Sequence, residues 1–230
     1  MAHLGLNACA GTDATLAVIP AGTGNDLARG AGVPGSVKEA VEALIRGKAS
    51  RFDLSLLTNA SGSRYVGAVV SSGYDARVNR ATNDIRLRFG ALSYGYIALR
   101  ELASFDPLRY RLTIDGVQRE VSAMMVAIAN TGIFGGGIRI APGYDLTDGL
   151  LDVTIVHPVS RLRLMTLFPR LRGQNFVQHP CLAYLPAQQV VVDGPGLHGM
   201  ADGEPLGRPP LTCTAAPGAL TIFAPGGRGD

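Results

Sequence analysis

The chain is poor in the features that mark several protein classes. Only 17% of its 230 residues are charged while 47% are apolar, which excludes a disordered chain and leaves a folded globular one. Three cysteines, Cys9, Cys181 and Cys213, lie far apart in no Cys-x-x-Cys or Cys/His spacing. Neither a disulfide framework nor a zinc site is expected, and the thiols are assigned to apolar packing. His3, His157, His179 and His198 fall in no metal spacing and take surface or packing roles. The longest apolar run, near Met124–Ala129, falls far short of the roughly 20 residues a membrane-spanning helix needs. No secretory leader is recognised, so the default expectation is a cytoplasmic protein in which the Asn59-Ala60-Ser61 sequon carries no meaning. A net charge of +3 is too small to imply nucleic-acid binding, although 21 basic residues can form local patches. There is no internal repeat and no low-complexity tract.

What is present divides by texture into two parts. Leu16–Ile19 suits a short buried strand, Pro20–Gly24 a tight loop and Asn25–Arg29 the start of a helix. Ser36 and Glu39 form a capping box. Val37, Ala40, Val41, Leu44 and Ile45 then recur at helical spacing before Gly47 stops the helix. After about Ala49, short alternating segments separated by Gly, Asp and Asn take over. "YRLTIDGVQREV" is a hairpin turning at Asp115-Gly116. "SAMMVAIAN", "LLDVTIV", "QQVVVDG", "PPLTCTA" and "ALTIFAP" read as further strands, a spacing that suggests a β-sandwich or barrel. Two helices are expected to interrupt it. One lies around Gly90–Ser104; the other, "RLRLMTLFPRLRG", places Leu164, Leu167, Phe168 and Leu171 on one face, with Pro169 expected to kink or end it.

Three constellations carry possible chemistry. In Gly22-Thr23-Gly24-Asn25-Asp26 a glycine-bearing loop joins a strand to a helix. Backbone N–H groups without intrahelical partners suit a phosphate there, with Thr23 and Asn25 offering side-chain hydrogen bonds. An ordinary strand-to-helix turn capped by Asn or Asp fits the same residues. The loop is not a Walker A motif, since it lacks the Gly-Lys-Ser/Thr ending. A GxGxxG match at Gly30, Gly32 and Gly35 contains Pro34, follows no strand and is set aside. "APGYDLTDGLLDV" holds the carboxylates Asp145, Asp148 and Asp152; Asp145 and Asp148 flank a turn-like segment entering a strand, and two carboxylates plus a nearby carbonyl are hard oxygen ligands of the kind Mg²⁺ takes. A metal-free turn uses the same residue types. In "HGMADGEPLG", an extended backbone would project Asp202 and Glu204 to one face with Gly203 leaving room for substrate. One carboxylate could then take a proton from an attacking hydroxyl. The competing reading is an exposed Asp-Gly turn.

The ordered set "PAGTGNDLAR", a capped helix and "FDL", "SSGYDA", "NTGIFGGGIRIAP", "DGLLDV" and "DGE" resembles the diacylglycerol kinase catalytic-domain family, which includes bacterial diacylglycerol kinases and sphingosine kinases. The resemblance covers nearly the whole chain, in family order. It implies an α/β plus β fold: a partial α/β nucleotide-binding domain lacking its N-terminal part (1–48), then a larger β-sandwich domain with inserted helices (49–226) and a short tail (227–230). ATP would lie in the cleft between them, with a lipid hydroxyl as phosphoryl acceptor and diacylglycerol as the expected lipid. By motif, Gly22, Thr23, Gly24, Asn25 and Asp26 would line the nucleotide site. Asp145, Asp148 and the carbonyl of Leu150 match a structural Mg²⁺ site. Glu204 matches the proton acceptor, Asp202 helps organise it, and Asp53 matches an acidic position near the domain junction. A second Mg²⁺ would travel with ATP.

One family feature is missing. The "GGDGT" loop precedes "PAGTGND" in the family, and here "MAHLGLNACAGTDATLAVIP" corresponds to the helix after that loop. A start set too late is the preferred expectation over a real truncation, with an exposed sheet edge in the nucleotide part as its consequence. The alternatives are an NAD kinase-like enzyme, which the AGTGND loop and the late DGE disfavour, and an inactive lipid-binding remnant. Arg77, Arg80, Arg86 and Arg88, and again Arg161, Arg163, Arg170 and Arg172, form basic clusters beside apolar residues. They are either ordinary solvated arginines or a face for anionic headgroups at the inner membrane surface. A homodimer is implied by the family alone.

Overall fold

Alternating apolar residues from Ala49 onward fold into two packed sheets, and the first 48 residues lie against one of them. The computed structural model describes residues 2–22, 24–78, 101, 105–171, 173 and 177–224, with only the backbone of 161, 168 and 169. Of the helix expected around Gly90–Ser104 only Glu101 is among these residues, and the tail 227–230 lies outside them. In chain order the first part contains α1 (Ala2–Cys9), β1 (Thr15–Leu16), α2 (Asp26–Gly30) and α3 (Val37–Arg46). There follow β2 (Ala49–Asn59), β3 (Gly62–Val66), β4 (Val69–Gly73), β5 (Leu108–Ile114), β6 (Val117–Ala123), β7 (Met125–Ala129), β8 (Ile133–Phe134), β9 (Ile138–Arg139) and β10 (Leu151–Val156). The chain closes with α4 (Arg161–Leu171), β11 (Leu182–Ala187), β12 (Gln189–Asp193), β13 (Gly199–Ala201), β14 (Glu204–Gly207) and β15 (Leu211–Phe223).

One sheet runs β3-β2-β15-β12-β5-β6, with β1 paired to β15 in parallel; the other runs β11-β10-β7-β4-β13-β14; β8 and β9 form a separate hairpin. Between the two large sheets lies a core that includes Leu57, Val70, Leu112, Ile128, Leu151, Val153, Val190 and Leu211. A second core packs α4 on the outer face of the six-stranded sheet. A third sets Leu6 of α1 and Ala28 of α2 against Phe52, Leu54, Leu220 and Ile222 of the long strands.

The expected hairpin is β5–β6, with Asp115 at φ 47° and Gly116 at φ 82°, the positive values a two-residue hairpin turn requires. The expected cap is also present. Ser36 Oγ accepts from Glu39 N–H at 3.2 Å and donates to the Glu39 carboxylate at 2.7 Å. Other expectations are corrected. The first strand covers only Thr15–Leu16, because β15 offers partners only at Thr221 and Ile222. "PPLTCTA" and "ALTIFAP" are one strand, β15, carried past Pro217-Gly218 by a register irregularity against β2 between Ala216 and Leu220. The last helix passes Pro169 and ends at Leu171, so the proline falls in its final turn. Leu164, Leu167 and Leu171 are buried as the helical spacing requires.

Candidate active site

The turn at Asp202 departs most from the extended backbone anticipated for Asp-Gly-Glu. Asp202 (φ 47°) and Gly203 (φ 85°) form the tight connection between β13 and β14, so Asp202 and Glu204 do not share a strand face. The Asp202 carboxylate turns inward and accepts N–H bonds from Gly67 (3.0 Å), Ala68 (2.9 Å) and Val69 (3.2 Å). Burial pushes its pKa up, while those three amides and nearby His3 pull it down. Glu204 points outward, its side chain about half exposed (51%), with His3 Nδ1 4.0 Å from its carboxylate. The pair is thus divided: one carboxylate locked to backbone, the other open to solvent.

The glycine loop has its own internal ties. Asn25 adopts a left-handed conformation (φ 54°) and does not cap α2. Its side-chain amide closes the loop instead, accepting from Gly22 N–H at 3.0 Å and donating to Gly22 C=O at 2.7 Å. The Asp26 carboxylate accepts from Gly136 N–H and Gly137 N–H at 3.0–3.1 Å. Both side chains are therefore engaged with backbone, Asn25 being one of the two, with Thr23, that the sequence offered for phosphate contact. Thr23 lies outside the described residues. The partner of Asp26 was missed in the sequence. Its signal is Gly135-Gly136-Gly137, all at positive φ (59°, 76° and 110°), a conformation that presents successive N–H groups to one carboxylate.

Asp145 Oδ1 accepts from Thr147 N–H (2.9 Å) and Thr147 Oγ–H (2.6 Å), and Asp148 Oδ1 accepts from Leu150 N–H (2.9 Å). These two-residue loops shape the entry to β10. Burial, and after it the charge of Asp148, pushes Asp152 up to about 6. Among the described residues no group of three or more His, Cys, Asp or Glu is gathered for a metal.

These pieces are joined by buried polar contacts. Asn130, just past β7, donates to Gly67 C=O (3.1 Å) and to Asp53 C=O (2.8 Å). The Asp53 carboxylate accepts from Gly149 N–H and Gly218 N–H, each at 2.7 Å. A path of bonds therefore runs from Asp202 through Gly67, Asn130 and Asp53 to the Asp145–Leu150 loop. A Cβ at Gly67 would collide with Leu6 and Leu27, and one at Gly30 with Thr131, so α1 and α2 press directly on the same hub. Tyr144 Oη–H donates to Gly30 C=O at 3.0 Å. Asn130 and Thr131 open the "NTGIFGGGIRIAP" motif, but the sequence assigned them no role, since an Asn-Thr pair after a buried strand has no local signature.

A second buried acid lies along β4. Asp75, in the helical turn after that strand, accepts from Ser71 Oγ–H, while its Oδ1 has no partner among the described residues. Burial pushes it up to about 6. Of the first arginine cluster, Arg77 pairs with Glu101 at 2.7 Å and lies over Phe105; Arg80, Arg86 and Arg88 lie outside the described residues. Cys181 and Cys213 are buried, Cys9 is half-buried, and all three are free thiols.

Comparison with known proteins places the two stretches of chain in matching families. Residues 1–57 match the diacylglycerol kinase catalytic domain, and residues 68–224 match the YegS C-terminal NAD kinase beta sandwich-like domain. A diacylglycerol kinase of Mycobacterium tuberculosis is 36% identical over 223 residues, covering 96% of this chain and 72% of that protein. A Pseudomonas aeruginosa protein named "Probable lipid kinase YegS-like" is 30% identical over 216 residues, covering 94% of this chain and 70% of its own length. The fold is shared with a crystal structure of a diacylglycerol kinase from Bacillus anthracis str. Sterne. That structure aligns with a TM-score of 0.67 at 19% identity, over 91% of this chain and 66% of that one.

Proposed function

This chain belongs to the diacylglycerol kinase family, and from that premise we propose that it transfers the γ-phosphoryl group of ATP to a lipid hydroxyl, converting diacylglycerol to phosphatidic acid. The observation that carries the reading is the division of labour at the β13–β14 turn. Asp202 is held by three backbone N–H groups, whereas Glu204 stands half exposed two residues away. A carboxylate in that position can accept a proton within hydrogen-bond reach of an incoming hydroxyl. In the reaction the lipid oxygen bonds to the γ-phosphorus, the bond to the β,γ-bridging oxygen breaks, ADP leaves, and the hydroxyl proton passes to Glu204. Asp202 keeps the turn in place and is a positioning residue.

In this reading residues 1–48 furnish the nucleotide side, through Gly22, Thr23, Gly24, Asn25 and Asp26, and residues 49–226 the lipid side. The ties of Asn25 to Gly22 and of Asp26 to Gly136 and Gly137 support it by giving the loop a defined shape before nucleotide arrives. A Mg²⁺ fits the entry to β10. Asp145, Asp148 and the Leu150 carbonyl are hard oxygen donors, and the like charges of Asp148 and Asp152 form a pair that a divalent cation relieves. Bound there it would neutralise charge and brace the loop, while a separate Mg²⁺ would accompany ATP. Among the described residues no helix is long and apolar enough to cross a membrane. In this reading the lipid is reached by peripheral contact with the inner membrane face, and a homodimer is part of the same reading.

The test is an assay of labelled phosphate transfer from ATP, with diacylglycerol in mixed micelles and with NAD as competing acceptor. Transfer to diacylglycerol is expected, and Glu204→Gln should lower turnover by about 10²–10⁴-fold with nucleotide binding retained. Transfer to NAD alone, or unchanged turnover in the variant, would overturn the assignment.

A further inference from the structure

Helix α4 covers the outer face of the six-stranded sheet with Leu164, Leu167 and Leu171, buried near Met125, Cys181 and Leu182. A helix packed on one side ordinarily turns charges of both signs to water on the other. Here the outward face carries Leu162, 77% exposed, and Met165, 45% exposed, three positions apart and so on one side of the helix. Arg163 and Arg170, seven positions apart, stand exposed together on the flank of that apolar strip. α4 itself carries no acidic residue. From Val153 to Val192, 40 residues, there is no Asp or Glu and there are four Arg, whereas all 18 acids fall in the remaining 190 residues.

We propose that the outward face of α4 docks the protein on an anionic bilayer surface, Leu162 and Met165 entering the headgroup region while Arg163 and Arg170 pair with lipid phosphates. Exposed aliphatic side chains flanked by arginines are the pattern of a helix lying in the membrane interface. The uniform sign of charge decides the occupant. A second copy meeting α4 through the same face would set arginine against arginine, a like-charge contact that opposes association, whereas an anionic surface complements it. The docking deepens the lipid-kinase reading by giving the enzyme access to a membrane-held acceptor, and it rests on that reading for its purpose alone. Its geometry requires no nucleotide.

The experiment is flotation of the full chain with vesicles of phosphatidylcholine, or of phosphatidylcholine with phosphatidylglycerol, without ATP. Binding to the anionic vesicles is expected, weakened about tenfold or more by Leu162→Glu with Met165→Glu, and by a similar factor by Arg163→Glu with Arg170→Glu. Leu162→Met should retain it. All these positions are exposed, and circular dichroism checks that the variants fold. Absence of vesicle binding by the unaltered chain, equal binding by either double variant, or preference for neutral vesicles would overturn the proposal. So would self-association in sedimentation that disappears in the double variants without any vesicle binding, which would identify the face as a contact between copies. Retained flotation without phosphoryl transfer would sink the kinase reading and leave the docking face standing. Turnover on a soluble short-chain diacylglycerol should match in all these variants.

Discussion

In the sandwich, β4 and β7 are buried at every position and β10 at all but one, between a core shared by the two sheets and another under α4. In the first 48 residues, α3 has the stronger amphipathic pattern in its sequence, yet only Ala40 is buried, and Val37 (50%) and Ile45 (78%) face outward. The sandwich thus supplies its own burial, whereas the first part borrows from it. Leu6, Ala28, Ala31 and Val33 share a core with Phe52, Leu54, Leu220 and Ile222 of the long strands. Polar and specific bonds fasten the first part as well. Asn7 exchanges two 2.8 Å bonds with the backbone of Tyr65 at the edge of β3, Asp26 takes the Gly136 and Gly137 amides, and Tyr144 reaches Gly30. Non-directional burial holds the scaffold, and a shared apolar core together with directional bonds holds the segment that carries the glycine loop against it.

The largest effect is expected on the scaffold side, at Asp53 of β2, whose buried carboxylate ties two segments of the sandwich to that strand. Asp53→Ala should cost about 3 kcal/mol or more, because Gly149 and Gly218 N–H groups lose a charged acceptor at a buried site. A urea midpoint unchanged from wild type would show that these sandwich segments are held elsewhere. Asp75 tests the scaffold side through pH. Its folded pKa, about 6, stands above the ordinary 3.8. The folded state therefore binds the proton more tightly, and stability from this group is full below about pH 4 and lost as pH rises through about 6. Relative to wild type, Asp75→Asn should gain about 2 to 3 kcal/mol between pH 4 and pH 7 in denaturant titrations, and a flat difference would refute it. Asp26→Ala should act on the borrowed part alone. It should raise hydrogen exchange across residues 24–33 by an amount equivalent to about 2 kcal/mol while β7 and β10 keep their protection. Equal loosening of both regions would mean that they form one cooperative unit. The smallest effect is expected for Ser36→Ala, about 1 kcal/mol of local stability in α3, seen as faster amide exchange at its first turn.

Local chemistry made much of the fold legible. Ser36 and Glu39 are three residues apart, and Asp115 and Gly116 are adjacent. The forces that make a cap or a hairpin turn therefore act within a window visible in the sequence. The period-two strands were readable for the same reason. The candidate site was legible as motifs and not as geometry. Asp-Gly-Glu was visible as two carboxylates around a glycine, but the inward turn of Asp202 depends on amides 133 to 135 positions earlier. The partners of Asp26 lie 110 and 111 positions away, and Asn130 joins Gly67 to Asp53 across separations of 63 and 77. No local spacing rule reports such pairs.

The sequence by itself determined the α/β plus β character, the β5–β6 hairpin, the runs that became β7, β10 and β12, the capped helix α3, and the ordered motifs that place the chain in its family, because each rests on neighbouring residues or on the presence of particular residue types. Only the tertiary structure decided that two strand-like runs form the single strand β15, that Asp202 is buried against backbone while Glu204 meets solvent, and that α4 turns Leu162 and Met165 outward. Those outcomes depend on which surfaces meet. Burial and hydrogen-bond satisfaction are properties of groups brought together from distant parts of the chain, and they are settled only when the sheets close.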